Sequence, residues 1–241
     1  MQINWRSVQG TKTHDIRDCA GVGVRANAVL SVVLDGSTSG PTSGDLARQI
    51  VRYVTDWYVG TNEAVTAESL VARLRHAHLS LSRRFPRDSA SYALVHIADA
   101  STALVLHAGD CLLGCHKENG PIRWFTRPHT LANPTGKMPI DQIARSHVRN
   151  RLTRSFRARE FMPPEISEIK AEPRSSFIAA TDGFWAELNP EEQAMFMQGH
   201  NVAINDEGDD RSVLQIGRLS QLGTRIQIDG EAAANFYIKR V

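Results

Sequence analysis

Long apolar runs are missing from this sequence, and with them any candidate transmembrane helix: no stretch approaches the roughly 20 apolar residues that a bilayer crossing needs. The opening MQINWRSVQG likewise lacks the apolar centre of a secretory leader. Cysteine is scarce. Cys19, Cys111 and Cys115 are odd in number and lack the paired spacing of a zinc site or a disulfide framework, so they are expected to be buried small hydrophobes in a reducing cytosol. No charge excess exists either. Lys and Arg number 28 against 26 acids, a formal +2, and no global field points to nucleic acid or an anionic membrane. Internal repeats, low-complexity tracts and interdomain linkers are absent, and the acidic run at 205–210 is too short to separate domains. What remains is 241 residues, 41% of them hydrophobic, enough to bury one substantial core. The expectation is a single domain over 1–241, soluble, cytoplasmic and monomeric.

Periodicity supplies the elements. Residues 22–34, VGVRANAVLSVVL, hold two β-rich pieces around a polar break, and the second runs into the turn Asp35-Gly36-Ser37-Thr38. Leu46, Ile50, Val54 and Trp57 mark a helix over 45–59 opened by Ser43 or Gly44. Leu70, Leu74, Ala77 and Leu81 mark a second helix capped by Thr66, with Glu68 in its first turn and Pro86 beyond its end. Strands follow at 92–97 and 102–107, joined by residues 98–101, then a hairpin of 112–116 with 122–125 turned at Glu118-Asn119-Gly120. From Gln142 to Arg159 the chain is rich in arginine with partial helical periodicity, read as a solvated helix face that could alternatively recognise acidic or phosphorylated substrate. A strand at 176–180, a helix start at Asn189-Pro190-Glu191-Glu192, and closing strands at 213–216 and 225–228 complete the pattern. Strands and helices come in blocks without βαβ alternation, which predicts antiparallel sheets covered by helices, an α+β fold. Aromatic residues do not interleave with the arginines, which argues against a nucleic-acid platform.

Acids sit at the strand ends. Leu34-Asp35-Gly36, Gly109-Asp110 and Thr181-Asp182-Gly183 each close an apolar strand, and Asp209 precedes a fourth. Strand ends of one sheet lie close together, and hard cations such as Mg²⁺ or Mn²⁺ take carboxylate and carbonyl oxygens from separate chain segments. Asp-Gly is also the commonest turn dipeptide, so each motif alone reads first as a plain turn.

Taken in order, the motifs resemble the type 2C metal-dependent serine/threonine protein phosphatases, in particular their smaller bacterial branch. Ser7-Val8-Gln9-Gly10-Thr11 leading to Arg17-Asp18 looks like the family's opening segment, Val33-Leu34-Asp35-Gly36 its aspartate-glycine turn, and Ala108-Gly109-Asp110 its glycine-aspartate hairpin. Leu152-Thr153-Arg154 is similar to its Leu-Thr-Arg segment, Ala180-Thr181-Asp182-Gly183-Phe184-Trp185 is the most specific match, and Asp209-Asp210-Arg211-Ser212 resembles the closing motif. The resemblance implies a two-layer antiparallel β-sandwich flanked by helices, an α-β-β-α arrangement, with two cations, Mn²⁺ or Mg²⁺, at one edge. Carried over by position, Asp35 would bridge the metals. Gly36, through its carbonyl, and Asp18 would serve the second, Asp182 and Asp209 the first, and Asp110 a looser third. Asp35, Asp182 and Asp209 would be the catalytic set, and a metal-activated water would hydrolyse phosphoserine or phosphothreonine in a phosphoprotein, opposing a cognate kinase.

Three positions depart from that pattern. Arg17 stands where the family usually has an acid, Ser37 where it often has His, and Ala186 where longer members carry a further acid. Lys12 and Arg17 are the candidates for gripping substrate phosphate, and His129 and His14 the substitutes for a missing general acid. These departures sustain an alternative, a catalytically impaired pseudophosphatase serving as a phosphoprotein-binding or regulatory module.

Overall fold

A strand buried on both faces reads as an uninterrupted apolar run rather than an alternation, and AVLSVVL is such a run. The computed structural model describes residues 1–98, 102–117, 120–170, 175–204, 206–217 and 224–241. Its first strands are β1 (Gln2–Val8), β2 (Asp18–Arg25) and β3 (Ala28–Gly36), followed by the helices α1 (Ser43–Gly60) and α2 (Ala67–Leu81). Next come β4 (Ser89–Ile97), β5 (Thr102–Ala108), β6 (Leu112–Lys117), β7 (Arg123–Trp124), the short α3 (Ile140–Ala144), β8 (Phe156–Arg157), β9 (Glu165–Lys170) and β10 (Ser175–Ala180). The chain closes with α4 (Asp182–Trp185), α5 (Pro190–Met197), β11 (Arg211–Ile216), β12 (Arg225–Ile228), a 3₁₀ turn at Gly230–Asn235 and β13 (Phe236–Arg240).

Two sheets result, ordered β12-β1-β11-β10-β6-β7 and β13-β2-β3-β4-β5-β9, with β8 on β4. Side chains alternate faces along a strand, so β3 sends Leu30, Val32 and Leu34 to a core shared with α1 and α2. Its Val29 and Val33 go to the core between the sheets, among Ile3, Trp5, Val95, Val105 and Leu214. The outer face of the other sheet carries Ile178, Ala180 and Val213 into a third core with Phe184 and Phe196 of α4 and α5. This is the helix-sheet-sheet-helix layering expected from the sequence. The sheets are antiparallel except at their edges, where β12 lies parallel to β1 and β13 parallel to β2.

Helix ends follow local chemistry. Thr66 and Ser69 form a reciprocal capping box on α2, and Asn189 with Glu192 does the same on α5 behind Pro190. At α1 the cap residue is Thr42, one residue before the predicted Ser43 or Gly44, and its N–H and hydroxyl are both held by Asp88 at 2.8 and 2.9 Å. The arginine-rich 142–159 segment is not a helix. Beyond Ala144 it runs as turns until the β8 bridge, because Arg145 to Arg151 close local i→i+3 bonds at Ser146, Arg149 and Arg151 instead of a helical ladder. Strands β1, β9 and β13 carry too little regular alternation to stand out in the sequence, and α4 is only one turn long. The turn expected at Glu118-Asn119 and the link at 99–101 lie outside the described residues, apart from Gly120 and Ala98. Cys19, Cys111 and Cys115 are buried, as expected.

Asn235 joins the two sheets. Its Nδ2 donates to Ser7 Oγ at 2.8 Å and to the Asp18 carbonyl at 2.9 Å, while its Oδ1 accepts from Trp5 Nε1 at 3.2 Å. Asn235→Ala removes all three bonds; Ser7 keeps Ser212 Oγ at 2.7 Å, but the buried Trp5 Nε1 loses its acceptor, a loss of about 1–3 kcal/mol. Denaturant unfolding should read that loss, and a change below about 1 kcal/mol would show that water replaces the amide.

Candidate metal centre

The acids predicted at strand ends fall at one edge of the sandwich. Asp35 ends β3, paired in register with Asp18 at the start of β2 and with Ser91 in β4. Asp110 follows β5 in a turn that needs Gly109 at φ +98°, a left-handed conformation in which a Cβ would also lie 2.2 Å from Ser91 Oγ. Asp182 opens α4 directly after β10, and Asp209 precedes β11. Oxygens of Asp35, Asp110 and Asp182 lie within 4.8 Å of one another. These three and Asp209 line a small cavity of about 70 Å³, together with Ser37, Thr38 and Asn150.

Asp18 stands behind this group. It is fully buried, accepts from Thr181 Oγ1 at 2.8 Å, and its backbone lies opposite Asp35 rather than on the cavity wall. Gly36 lets the turn press on α1, since a Cβ there would sit 2.6 Å from the Ser43 carbonyl oxygen. Asp210 does not line the cavity; it accepts from the Gly10 N–H at 2.8 Å and the Arg17 N–H at 2.6 Å, and so staples the opening segment to the closing motif. Ser91 Oγ donates to Asp110 Oδ1 at 2.5 Å, and Trp185 Nε1 donates to the Asp110 carbonyl at 2.8 Å.

Crowding sets the electrostatics. Burial first, then repulsion from Asp110 and Asp209, pushes Asp182 up to about 8. Burial and Asp18 raise Asp35 well above the carboxylate range, and burial and Asp210 do the same to Asp18. Asp110 is also raised by burial, against the Ser91 hydrogen bond. Carboxylates held this way are short of positive charge.

Two cations supply part of it, one of them unexpected from the sequence. Arg149, read from the sequence as one of a solvated series, puts Nη1 2.6 Å from Asp182 Oδ2 and Nη2 3.6 Å from Glu187 Oε1. Lys12 Nζ lies 3.0 Å from Asp209 Oδ2 and 3.8 Å from Glu187 Oε1. Glu187, absent from the sequence-based set, also accepts from the Asp209 N–H at 3.1 Å and faces Arg211 Nη2 at 3.6 Å. Its position one residue past Ala186, where longer relatives of the expected family carry an acid, was the available signal.

Arg17 turns away from the acids. Its Nη1 donates to the Ser37 and Gly40 carbonyls, both at 2.7 Å, and its Nε reaches Asp15 at 3.4 Å, so the guanidinium clamps the turn after β3. His129 does not line the cavity. Its Nδ1 accepts from the Gly109 N–H at 3.2 Å, its Nε2 faces Glu165 at 3.1 Å, and its ring stacks on His107 at 4.5 Å with an interplanar angle of 21°. Ligand atoms of His107, His129 and Glu165 also approach within 4.8 Å. A cation bound through ring nitrogens must lie in both ring planes, and stacked, near-parallel planes do not meet, so this arrangement does not suit a metal. His14 is exposed.

The carboxylate group fits a hard divalent ion. Its donors are all oxygen, they come from separate strand ends, and their raised affinity for protons reflects an unmet demand for positive charge.

Comparisons with known proteins agree with the fold. The model of the family described as protein phosphatase 2C matches residues 11–213. No curated protein matches the sequence significantly. Among solved structures, the S. agalactiae serine/threonine phosphatase superposes with a TM-score of 0.74 at 15% identity, covering 90% of this chain and 99% of that one. The PPM Ser-Thr phosphatase MsPP of Mycobacterium smegmatis, solved with cacodylate, gives 0.71 at 17% identity over 90% and 98%. The catalytic domain of PstP, a Mycobacterium tuberculosis phosphatase, solved with two manganese ions, gives 0.68 at 14% over 90% and 98%. At these identities the likeness is one of fold.

The raised Asp182 predicts a pH dependence. Folded Asp182 keeps its proton up to about pH 8, whereas the unfolded carboxyl releases it near 4. The folded state therefore binds more protons in between, and metal-free stability is lost as pH rises through that window. Buried His107 and His96, lowered to about 4 by burial first, act below the ordinary histidine range of roughly 6.5 and leave the upper part clear. Between about pH 6.5 and 8 the slope from this group is at most about 1.4 kcal/mol per pH unit. Denaturant titrations in chelator should show stability falling with pH in wild type and a shallower fall in Asp182→Asn; equal slopes would remove Asp182 as the source.

Proposed function

The chain belongs to the protein phosphatase 2C family, and on that ground we propose that it hydrolyses phosphoserine and phosphothreonine in proteins, using divalent cations held at the carboxylate cluster. The observation that carries this reading is the approach of Asp35, Asp110 and Asp182 within 4.8 Å on one cavity wall. Asp35, Asp182 and Asp209 would be the principal ligands, with Asp110 and the Gly36 carbonyl assisting and Asp18 backing Asp35. When bound, Mn²⁺ or Mg²⁺ would supply a water deprotonated at neutral pH and neutralise charge developing on the phosphoryl group. The chain's own residues do the rest. Ser91 and Trp185 hold Asp110 from the side chain and the carbonyl, Asp210 fixes the opening segment, and Arg17 holds the turn that carries Ser37 and Thr38 to the cavity. Lys12, beside Asp209, stays the lysine candidate for substrate phosphate; Arg17, occupied by two carbonyls, does not.

The reading treats 1–241 as one phosphatase domain acting as a monomer in the cytoplasm on phosphoproteins modified by a serine/threonine kinase. Among the described residues no helix is long and apolar enough to cross a membrane.

A second reading is favoured by one specific observation: Arg149 and Lys12 occupy carboxylate oxygens that a metal would need. A pseudophosphatase would keep those ion pairs and bind phosphoproteins without turnover. Hydrolysis of a generic aryl phosphate with added Mn²⁺ decides between the two. Activity abolished by chelator, and lowered at least about 100-fold in Asp35→Asn, Asp182→Asn and Asp209→Asn, is the expected outcome, since ligand loss removes several kcal/mol of transition-state stabilisation. Retention of more than about a tenth of the rate would sink the ligand assignment, and an inactive wild type that still takes up Mn²⁺ would establish the second reading.

A further inference from the structure

The site described above has no arginine from the opening segment to meet the substrate, because Arg17 is spent on the Ser37 and Gly40 carbonyls at 2.7 Å. Other guanidiniums nearby also have carbonyls or a ring nitrogen as their nearest partners, with carboxylates only at longer range. Arg211 is 1% exposed and donates to the Ala203 carbonyl at 2.7 Å, and Arg154 is turned to His129 at 3.4 Å. Arg149 differs in kind. Its nearest partner is a carboxylate of the cluster itself, Asp182 at 2.6 Å, and Glu187 lies at 3.6 Å. Its neighbour Asn150 lines the same small cavity as Asp35, Asp110 and Asp182.

That difference matters when the cluster is loaded. A guanidinium bonded to a carbonyl keeps its partner whatever ion arrives, whereas one bonded to a ligand carboxylate loses attraction as the carboxylate's charge is shared with a divalent cation. Arg149 then stands beside an electropositive centre with an unspent planar fork, the geometry that matches two oxygens of a phosphate. We propose that Arg149 is the phosphate-binding guanidinium of this centre, pairing with Asp182 while that carboxylate is free and with the phosphoryl oxygens of the substrate when the carboxylate holds metal. The proposal rests on the metal-dependent phosphatase reading, and its consequence is that the 145–155 turn segment carries the residue which the opening segment does not provide.

Calorimetry on the full chain tests it, with Mn²⁺ titrated first and inorganic phosphate then titrated into the manganese-loaded protein. Arg149→Gln should still take up Mn²⁺ but bind phosphate at least about 10-fold more weakly, the range of a charge-assisted hydrogen bond. Arg149→Lys, which keeps a point charge and loses the fork, should fall between the two. Arg159→Gln, an exposed member of the same series, should match wild type. Should Arg149→Gln fail to fold, Arg149→Lys carries the measurement, with a several-fold loss of phosphate affinity expected. A phosphate affinity within twofold of wild type in a variant that takes up manganese normally would overturn the proposal, leaving Arg149 as a counterion of the metal-free acids. Absence of phosphate binding to manganese-loaded wild type would overturn it outright. A wild type that binds manganese and phosphate without turning over aryl phosphate would defeat the phosphatase reading alone, since the Arg149 comparison is read from binding.

Discussion

Like charges brought together in a place with little water repel, and that repulsion governs this molecule. Asp35, Asp110 and Asp182 are drawn to one edge of the sandwich with Asp209 beside them and Asp18 behind, and burial with mutual repulsion raises the carboxyls of Asp18, Asp35, Asp110 and Asp182 above their usual range. No arrangement of acids alone would choose this. It persists because the strands that deliver them are fixed by cores on both faces, and because cations are available to offset part of the charge.

The scaffold resists the repulsion through polar ties at the same edge. Asp88 holds the start of α1, Asn235 joins Trp5, Ser7 and the Asp18 carbonyl, and Asp210 holds the backbone of the opening segment. Each tie is a buried acceptor or amide with its partners present, so each contributes mainly by what its removal would leave unsatisfied. Arg17 belongs to this group. Its guanidinium braces the turn that follows Asp35, which explains how a cation can stand at a position next to the acids without meeting them.

Function follows from which charges can be exchanged. A pair such as Arg17 with two carbonyls is indifferent to metal, while Arg149 with Asp182 and Lys12 with Asp209 are pairs that a divalent ion would disturb. Glu187 touches the surroundings of both and of Arg211, so it is the carboxylate through which the cations of this edge communicate. A phosphatase and a phosphoprotein-binding relative differ, in this view, by whether metal or these two side chains prevail at the acids.

The sequence by itself determined the strands and helices whose patterns are local. The buried run of β3, the three- and four-residue steps of α1 and α2, and the Asn-Pro-Glu-Glu opening of α5 all depend on neighbours within a few residues, and so did the placing of acids at strand ends. The edge strands β9 and β13, and β1 beside the edge strand β12, did not show, since a strand at or next to a sheet edge is specified more by the partners it pairs with than by its own alternation. In the 142–159 segment the arginine spacing imitated a helix that turn bonding replaced. Only the tertiary structure decided that Arg149 meets Asp182 across 33 positions, that Lys12 meets Asp209 across 197, and that Arg17 faces carbonyls instead of acids. Ion pairs between distant segments are set by where the layers bring their strand ends, and no residue in either segment carries that distance in its own identity.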